Sequence, residues 1–171
     1  MSFLSRLFGT APDPKEEIRP FYSAIIGAAR QPVWYLECGA CDTIDGRFDM
    51  ITNIMAMVML RMESEPALMP ASARLTELLV EDLDGQLRET GLGDPTLGKK
   101  MGKLMEAMGG RLGAYRTALA EGRPSMIEAV RRNINLVEGA QGDAMADRLI
   151  AFSATLAALP DAQLLRGEFT A

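Results

Sequence analysis

Cys38 and Cys41 form a C-x-x-C, the sharpest chemical spacing in the chain. Two thiols so placed can cycle between dithiol and disulfide, or supply half of a tetrahedral zinc site. The chain holds no second ligand pair, so a mononuclear structural zinc site would need another subunit. A redox pair should follow a strand of a βαβ unit and sit at a helix N-terminus, where the thiol pKa falls. No strand alternation surrounds Cys38, and incidental cysteines in a reducing compartment are the preferred reading over a thiol-disulfide oxidoreductase. Histidine is absent. That excludes Ser-His-Asp and Cys-His centres, an H-E-x-x-H zinc helix and Glu-x-x-His di-iron ligation.

The acidic residues offer less chemistry and more structure. Asp82-Leu83-Asp84-Gly85 resembles the start of a calcium loop, but the third acidic position and the closing glutamate are missing. Asp82 and Gln86 fall inside the apolar face made by Leu75, Leu78, Leu79 and Leu83, where an isolated charge is costly. Asp82 therefore needs a partner, and Arg47, Arg88 and Lys99 are the candidates. In Asp42-Thr43-Ile44-Asp45-Gly46-Arg47-Phe48-Asp49, Thr43 or Asp45 can cap a helix, Asp49 suits its positive end and Gly46 permits close approach. Asp42, Asp45, Arg47, Asp82, Asp84, Arg88, Asp94 and Lys99 are the candidates for protein binding or for an internal polar network. No catalytic residue, metal or cofactor is expected. Copper(I) on Met59 and Met62 lacks further soft ligands.

These residues must be held by helices. The central stretch, residues 80–115, contains two helical patterns joined at Gly91-Leu92-Gly93-Asp94-Pro95, with Asp94 as N-cap and Pro95 as first helical residue. Leu97, Met101, Leu104, Met108, Leu112, Tyr115 and Leu119 then recur at three- and four-residue steps, which makes one apolar stripe. Beside it run Gly98, Gly102, Gly109 and Gly113. Each costs about 0.8–1 kcal/mol relative to alanine inside a helix, so something should approach the backbone closely. A neighbouring helix of the same chain is the first expectation, and a groove for another protein's helix the second. Gly98, Met101, Gly102, Met105, Met108, Gly109, Gly113 and Tyr115 are the groove candidates. Lys99, Lys100 and Lys103 read as a solvated face, with anionic headgroups or an acidic partner loop as the functional alternative.

The remaining helices are expected over 15–30, 47–64, 73–90, 124–138 and 143–159, with 66–70 a break and Pro160 limiting the last. The helix at 47–64 is apolar nearly all round and should be central, its methionines forming core before they form an adaptable client surface. The class is an all-α, single-domain irregular bundle of five to seven helices. The expected divisions are a flexible segment 1–14, a helical domain 15–166 and a tail 167–171. Phe3, Leu4, Leu7 and Phe8 around Arg6 could make a short interfacial helix, though a frayed terminus is preferred.

Composition bounds the function. The 171 residues, 48% apolar, suffice for a real core. A net charge of −5 and a pI near 4.9 argue against nucleic acid as a partner. The longest apolar run, Ile54 to Leu60, is far short of the roughly 20 residues that span a bilayer. With no secretory signal expected, the chain should be cytoplasmic, with peripheral contact at the inner membrane as a further expectation.

Several segments together resemble the ubiquinol–cytochrome c chaperone family. They are Ala29-Arg30-Gln31-Pro32 with Trp34-Tyr35; Asp42 to Asp49; Glu81-Asp82-Leu83-Asp84; Leu87-Arg88-Glu89; Gly91-Leu92-Gly93-Asp94; Gly98-Lys99-Lys100; Gly110-Arg111; and Ala114-Tyr115. The match runs in order over about residues 15 to 160. Cys41 departs from it, standing where a small apolar residue or proline is expected. The resemblance implies a non-enzymatic assembly factor for the respiratory bc1 complex that acts on newly made cytochrome b or another apolar membrane-protein client. Mitochondrial members act at the ribosome exit with a small partner protein. A helical interaction module with a different client is the remaining alternative.

Overall fold

The structure is a computed structural model that describes residues 13–89 and 94–171; the side chains of residues 86–87, 89 and 94–97 also lie outside the described set. The segment around Arg6, the side chain of Asp94 and the stripe residue Leu97 therefore fall outside it. Helix α1 (Arg19–Ala29) carries Pro20 in its first turn, where the missing N–H leaves no bond unmade. Its end is set by the Gln31-Pro32 step. Gln31 is extended ahead of Pro32, and the single-turn α2 (Pro32–Leu36) folds back on α1. There Trp34 Nε1 donates to the Ala28 carbonyl at 2.8 Å and the Tyr35 hydroxyl to the Ala29 carbonyl at 3.1 Å. Carbonyls that the last turn would leave orphaned are thus satisfied, by two aromatic donors whose ring faces pack inward.

Helix α3 (Ile44–Glu63) starts three residues earlier than its apolar pattern indicates, because Thr43 is the cap: its Oγ1 accepts from the Gly46 N–H at 3.1 Å. It is the central helix. Met50, Ile54, Met55, Met57 and Met62 are fully buried, and α3 touches α1, α4 (Met69–Glu89), α5 (Asp94–Glu121) and α7 (Asp143–Ala158). With α6 (Arg123–Asn133) and α8 (Asp161–Leu165), the described residues form an all-α bundle of six long helices and two single turns.

Helix α1 begins at Arg19, where the sequence reading has Lys15, with residues 14–18 forming turns, and further boundaries also differ. The break at 66–70 is a 3-10 turn (Pro66–Leu68) that buries Leu68, and α4 begins at once at Met69, with Pro70 admitted in its first turn. Helix α6 stops at Asn133 instead of continuing to Glu138, because the chain is drawn out extended to meet the turn after α2. Cys41 N–H donates to the Asn135 carbonyl at 2.8 Å and Val137 N–H to the Gly39 carbonyl at 2.9 Å. Beyond Pro160 the chain re-forms a helix. Arg61 reaches across from α3 and donates to the Leu156 and Leu159 carbonyls, both at 3.1 Å, and to Asp161 at 2.6 Å, which satisfies the end of α7 and fixes α8. The last residues, read as a tail, pack inward: the Phe169 ring lies edge-on to Phe21 and Phe152 at 6.1 and 6.0 Å.

A polar network runs through this apolar interior. Asp49 and Asn53 stand one turn apart on α3, facing Arg111 and Tyr115 one turn apart on α5. Arg111 Nη2 donates to Asp49 Oδ1 and, at 3.0 Å, to the Asn133 carbonyl. Asp49 Oδ2 accepts from the backbone N–H and the side-chain amide of Asn135 at 3.1 and 2.7 Å. The Tyr115 hydroxyl donates to Asn53 Oδ1, and Asn53 Nδ2 to the Asp49 carbonyl at 2.6 Å. Burial raises the Tyr115 pKa well above its ordinary value, so the hydroxyl stays a donor. The Asp49 and Arg111 side chains retain 10% and 8% exposure, so removing either strands a buried charge. We predict that Asp49→Ala and Arg111→Ala each cost about 3–5 kcal/mol in urea unfolding, with the double variant well short of their sum. Single losses below roughly 1 kcal/mol would show that the network is dispensable.

Candidate functional site

On one side of the bundle the helices part. The α1–α2 corner, the start of α3, the middle of α4 and the first half of α5 enclose an open groove of about 1150 Å³. Its floor is apolar, from Phe48 and Ile51 on α3, Leu79 and Leu83 on α4 and Leu104 on α5. At its lip stand Leu36, 83% exposed, and Ile44, 89% exposed, the two most exposed large hydrophobic side chains among the described residues. Apolar side chains held in water beside an apolar trough mark an interaction surface more than a folding requirement.

The lip is built by a close backbone crossing. The chain between α2 and α3 passes over the first turn of α3, so that a Cβ on Gly46 would lie 1.9 Å from the Cys41 carbonyl oxygen. Only glycine fits there. Gly39, at φ +79°, makes the turn that precedes the crossing. Together they set Asp42, Ile44, Asp45 and Arg47 along one edge.

The structure brings four of the polar candidates to the groove, namely Asp42, Asp45, Arg47 and Asp82, without making them an internal network. Arg47 Nε donates to Asp42 at 2.6 Å in an exposed pair, and that hydrogen bond holds the Asp42 carboxyl below its usual range. Asp82 finds neither Arg47, Arg88 nor Lys99. It lies at the exposed edge of α4 and accepts from the Tyr22 hydroxyl at 2.9 Å, so its partner is a neutral donor from α1. Burial, reinforced by that bond, raises the Tyr22 pKa. Arg88 pairs with Asp84 one turn away at 2.6 Å, on α4 and away from the groove lining. Lys99 is exposed and does not line the groove, whereas Lys100 and Lys103 do.

The residues expected to form a groove on α5 are distributed differently. Met108 and Tyr115 belong to the core, and Met101 is half-buried against it. Met105 and Gly113 are half-buried, while Gly98, Gly102 and Gly109 are exposed. Among the described residues no neighbouring helix lies along the glycine line: a Cβ added at Gly98, Gly102, Gly109 or Gly113 would meet none of them within 4 Å. None of residues 98–107 is fully buried, and the first half of α5 meets the bundle through Met101 and Leu104, which pack partly buried against the core. Lys100, Lys103 and Leu104 point roughly opposite to the glycine line, at about 100° per residue. Sequence reasoning also passed over Leu36 and Ile44. Each sits beside an acidic residue at a helix boundary, outside any stripe, and that mismatch is the available signal.

Cys38 and Cys41 are free thiols. Cys38 is buried in the turn after α2, where desolvation raises its pKa, the reverse of what an activated thiol requires. No helix among the described residues is long and apolar enough to cross a membrane.

The all-α bundle belongs to a known class of chaperones. The ubiquinol–cytochrome C chaperone family matches residues 36–171, and the chain is a member of that family. The crystal structure of the Cbp3 homolog from Brucella abortus is similar at a TM-score of 0.79 and 29% identity, over 98% of this chain and 93% of that one. No match was found among curated proteins.

The glycines give opposed predictions. Gly98→Ala, Gly102→Ala and Gly109→Ala should each add about 0.8–1 kcal/mol, raising the melting temperature of the triple variant. Gly46→Ala should lose about 1–3 kcal/mol or more, since backbone must move to admit the methyl. A destabilised triple variant would mean that something packs on that face in solution.

Proposed function

We propose that this chain is a non-enzymatic chaperone for assembly of the ubiquinol–cytochrome c reductase, holding an apolar segment of newly made cytochrome b in the groove between the α1–α2 corner, α3, α4 and α5. Family membership supports the chaperone role. The observation that carries the site is the exposure of Leu36 and Ile44 at the lip of an apolar trough on a family member. Such a surface can shield a client's side chains from water at roughly 25 cal/mol per Å² of apolar area covered, with no chemistry required. Asp42, Asp45, Arg47 and Asp82 set register at the edge, and Lys99, with Lys100 and Lys103, faces the acidic loops or headgroups near an emerging membrane protein. Action on such a client fits a cytoplasmic protein in peripheral contact with the inner membrane, where a small partner protein or the ribosome can meet it.

Purification of a tagged copy from native cells in mild detergent tests this. Cytochrome b should be enriched over other abundant membrane proteins, and a Leu36→Ser, Ile44→Ser variant, which alters only exposed side chains, should lose that enrichment while unfolding normally. The Cys38→Ser, Cys41→Ser variant should retain it. Reproducible absence of cytochrome b, with crosslinking, would leave an interaction module for another client.

A further inference from the structure

The charges around the groove are unevenly satisfied. Four basic side chains line it, Arg30, Arg47, Lys100 and Lys103, against three acidic ones, Asp42, Asp45 and Asp82. This is a local positive excess on a chain whose net charge is −5. Arg47 is paired with Asp42, and Asp82 is held by Tyr22. Among the described residues, no carboxylate lies within ion-pair distance of Arg30, Lys100 or Lys103. All three are exposed and border the same apolar floor, Arg30 from the α1–α2 corner and the two lysines from α5. They are exposed cations that the described fold leaves without an ion pair.

Resting on the proposed role of the groove, we propose that the segment it takes is amphipathic and acid-flanked: one side apolar, against Phe48, Ile51 and Leu104, and the other carrying carboxylates that meet Arg30, Lys100 and Lys103. A uniformly apolar span would leave those cations facing hydrocarbon, at a desolvation cost with no return. A flat anionic bilayer fits less well. The two side chains best placed to insert, Leu36 and Ile44, are each followed by an exposed acid, Glu37 and Asp45, which anionic headgroups would repel. A discrete peptide can set its carboxylates on the basic side and leave Asp45 in water. On a chain of net charge −5, this local positive excess also favours one orientation of an acidic segment in the groove.

The test uses two synthetic helical peptides of about 16 residues, roughly 24 Å long, with one shared Leu/Phe/Met face and flanks of glutamate or of lysine. Binding to the full chain is read by fluorescence anisotropy. The glutamate-flanked peptide should bind about tenfold tighter, ~1.4 kcal/mol, with the preference shrinking as salt rises from about 50 to about 500 mM. Arg30→Glu, Lys100→Glu, Lys103→Glu should invert the preference; its normal melting, or the neutral Gln versions if it melts early, separates charge from folding. Equal binding of both peptides, abolished by Leu36→Ser, Ile44→Ser, would overturn the acid-flanked ligand and leave the groove's role intact. Binding of neither, or binding indifferent to the lip variant, would overturn both. Recruitment to phosphatidylglycerol vesicles that needs the three cations, with neither peptide competing, would replace the peptide by a lipid surface.

Discussion

The contact between Asp49 and Arg111 is the constraint on which the remainder rests. It joins the central helix to the long α5 and, through Asn133 and Asn135, captures the segment that ends α6. That segment receives Cys41, and the Cys41 carbonyl lies over Gly46. A continuous path of backbone and side-chain bonds therefore leads from a buried ion pair to the exposed lip at Ile44. Replacing such a pair by well-packed apolar residues is often neutral for stability. What this one provides is register: Asp49 has its bonds met only when α3, α5 and the 133–135 segment are all in place.

The groove is asymmetric in firmness. Its α1–α2 corner and its α3 wall adjoin fully buried residues such as Trp34, Met50 and Ile54. Its α5 wall has no buried residue among positions 98–107 and carries glycines at sites where alanine would fit. In the role proposed for the groove, a wall continuous with the core would fix the position of a bound segment while the glycine-bearing wall adapts to its bulk.

Much of the fold was legible because it rests on periodicity. The all-round apolarity of 48–62 marked the central helix, and the stripe from Met101 to Leu119 marked the buried side of α5. The ends were harder, since α6 is cut short by pairing with residues 39–41, nearly a hundred positions earlier, and α8 depends on Arg61. The site was half-legible. Asp42, Asp45, Arg47 and Asp82 stood out as charges needing an explanation and do border the groove. Asp49 and Asn53 were polar residues one turn apart in an otherwise apolar helix, mirrored by Arg111 and Tyr115 on α5, yet spacing within one helix does not say which helix it will face. The glycine line shows the same limit: no described residue packs against it, and a low-propensity face does not by itself say what covers it.

The meeting of Phe169 with Phe21, together with Gly167 lying where a Cβ would come within 2.4 Å of Ala24, joins the two ends of the described chain in one cluster. Helix α1 therefore completes its packing only with residues 167–169 in place. The segments between them can form local helices on their own, whereas this closure is a contact of high sequence separation, which is slow to form. The helix that leads into the α1–α2 corner of the groove is thus held in part by an aromatic ring from the far end of the described residues.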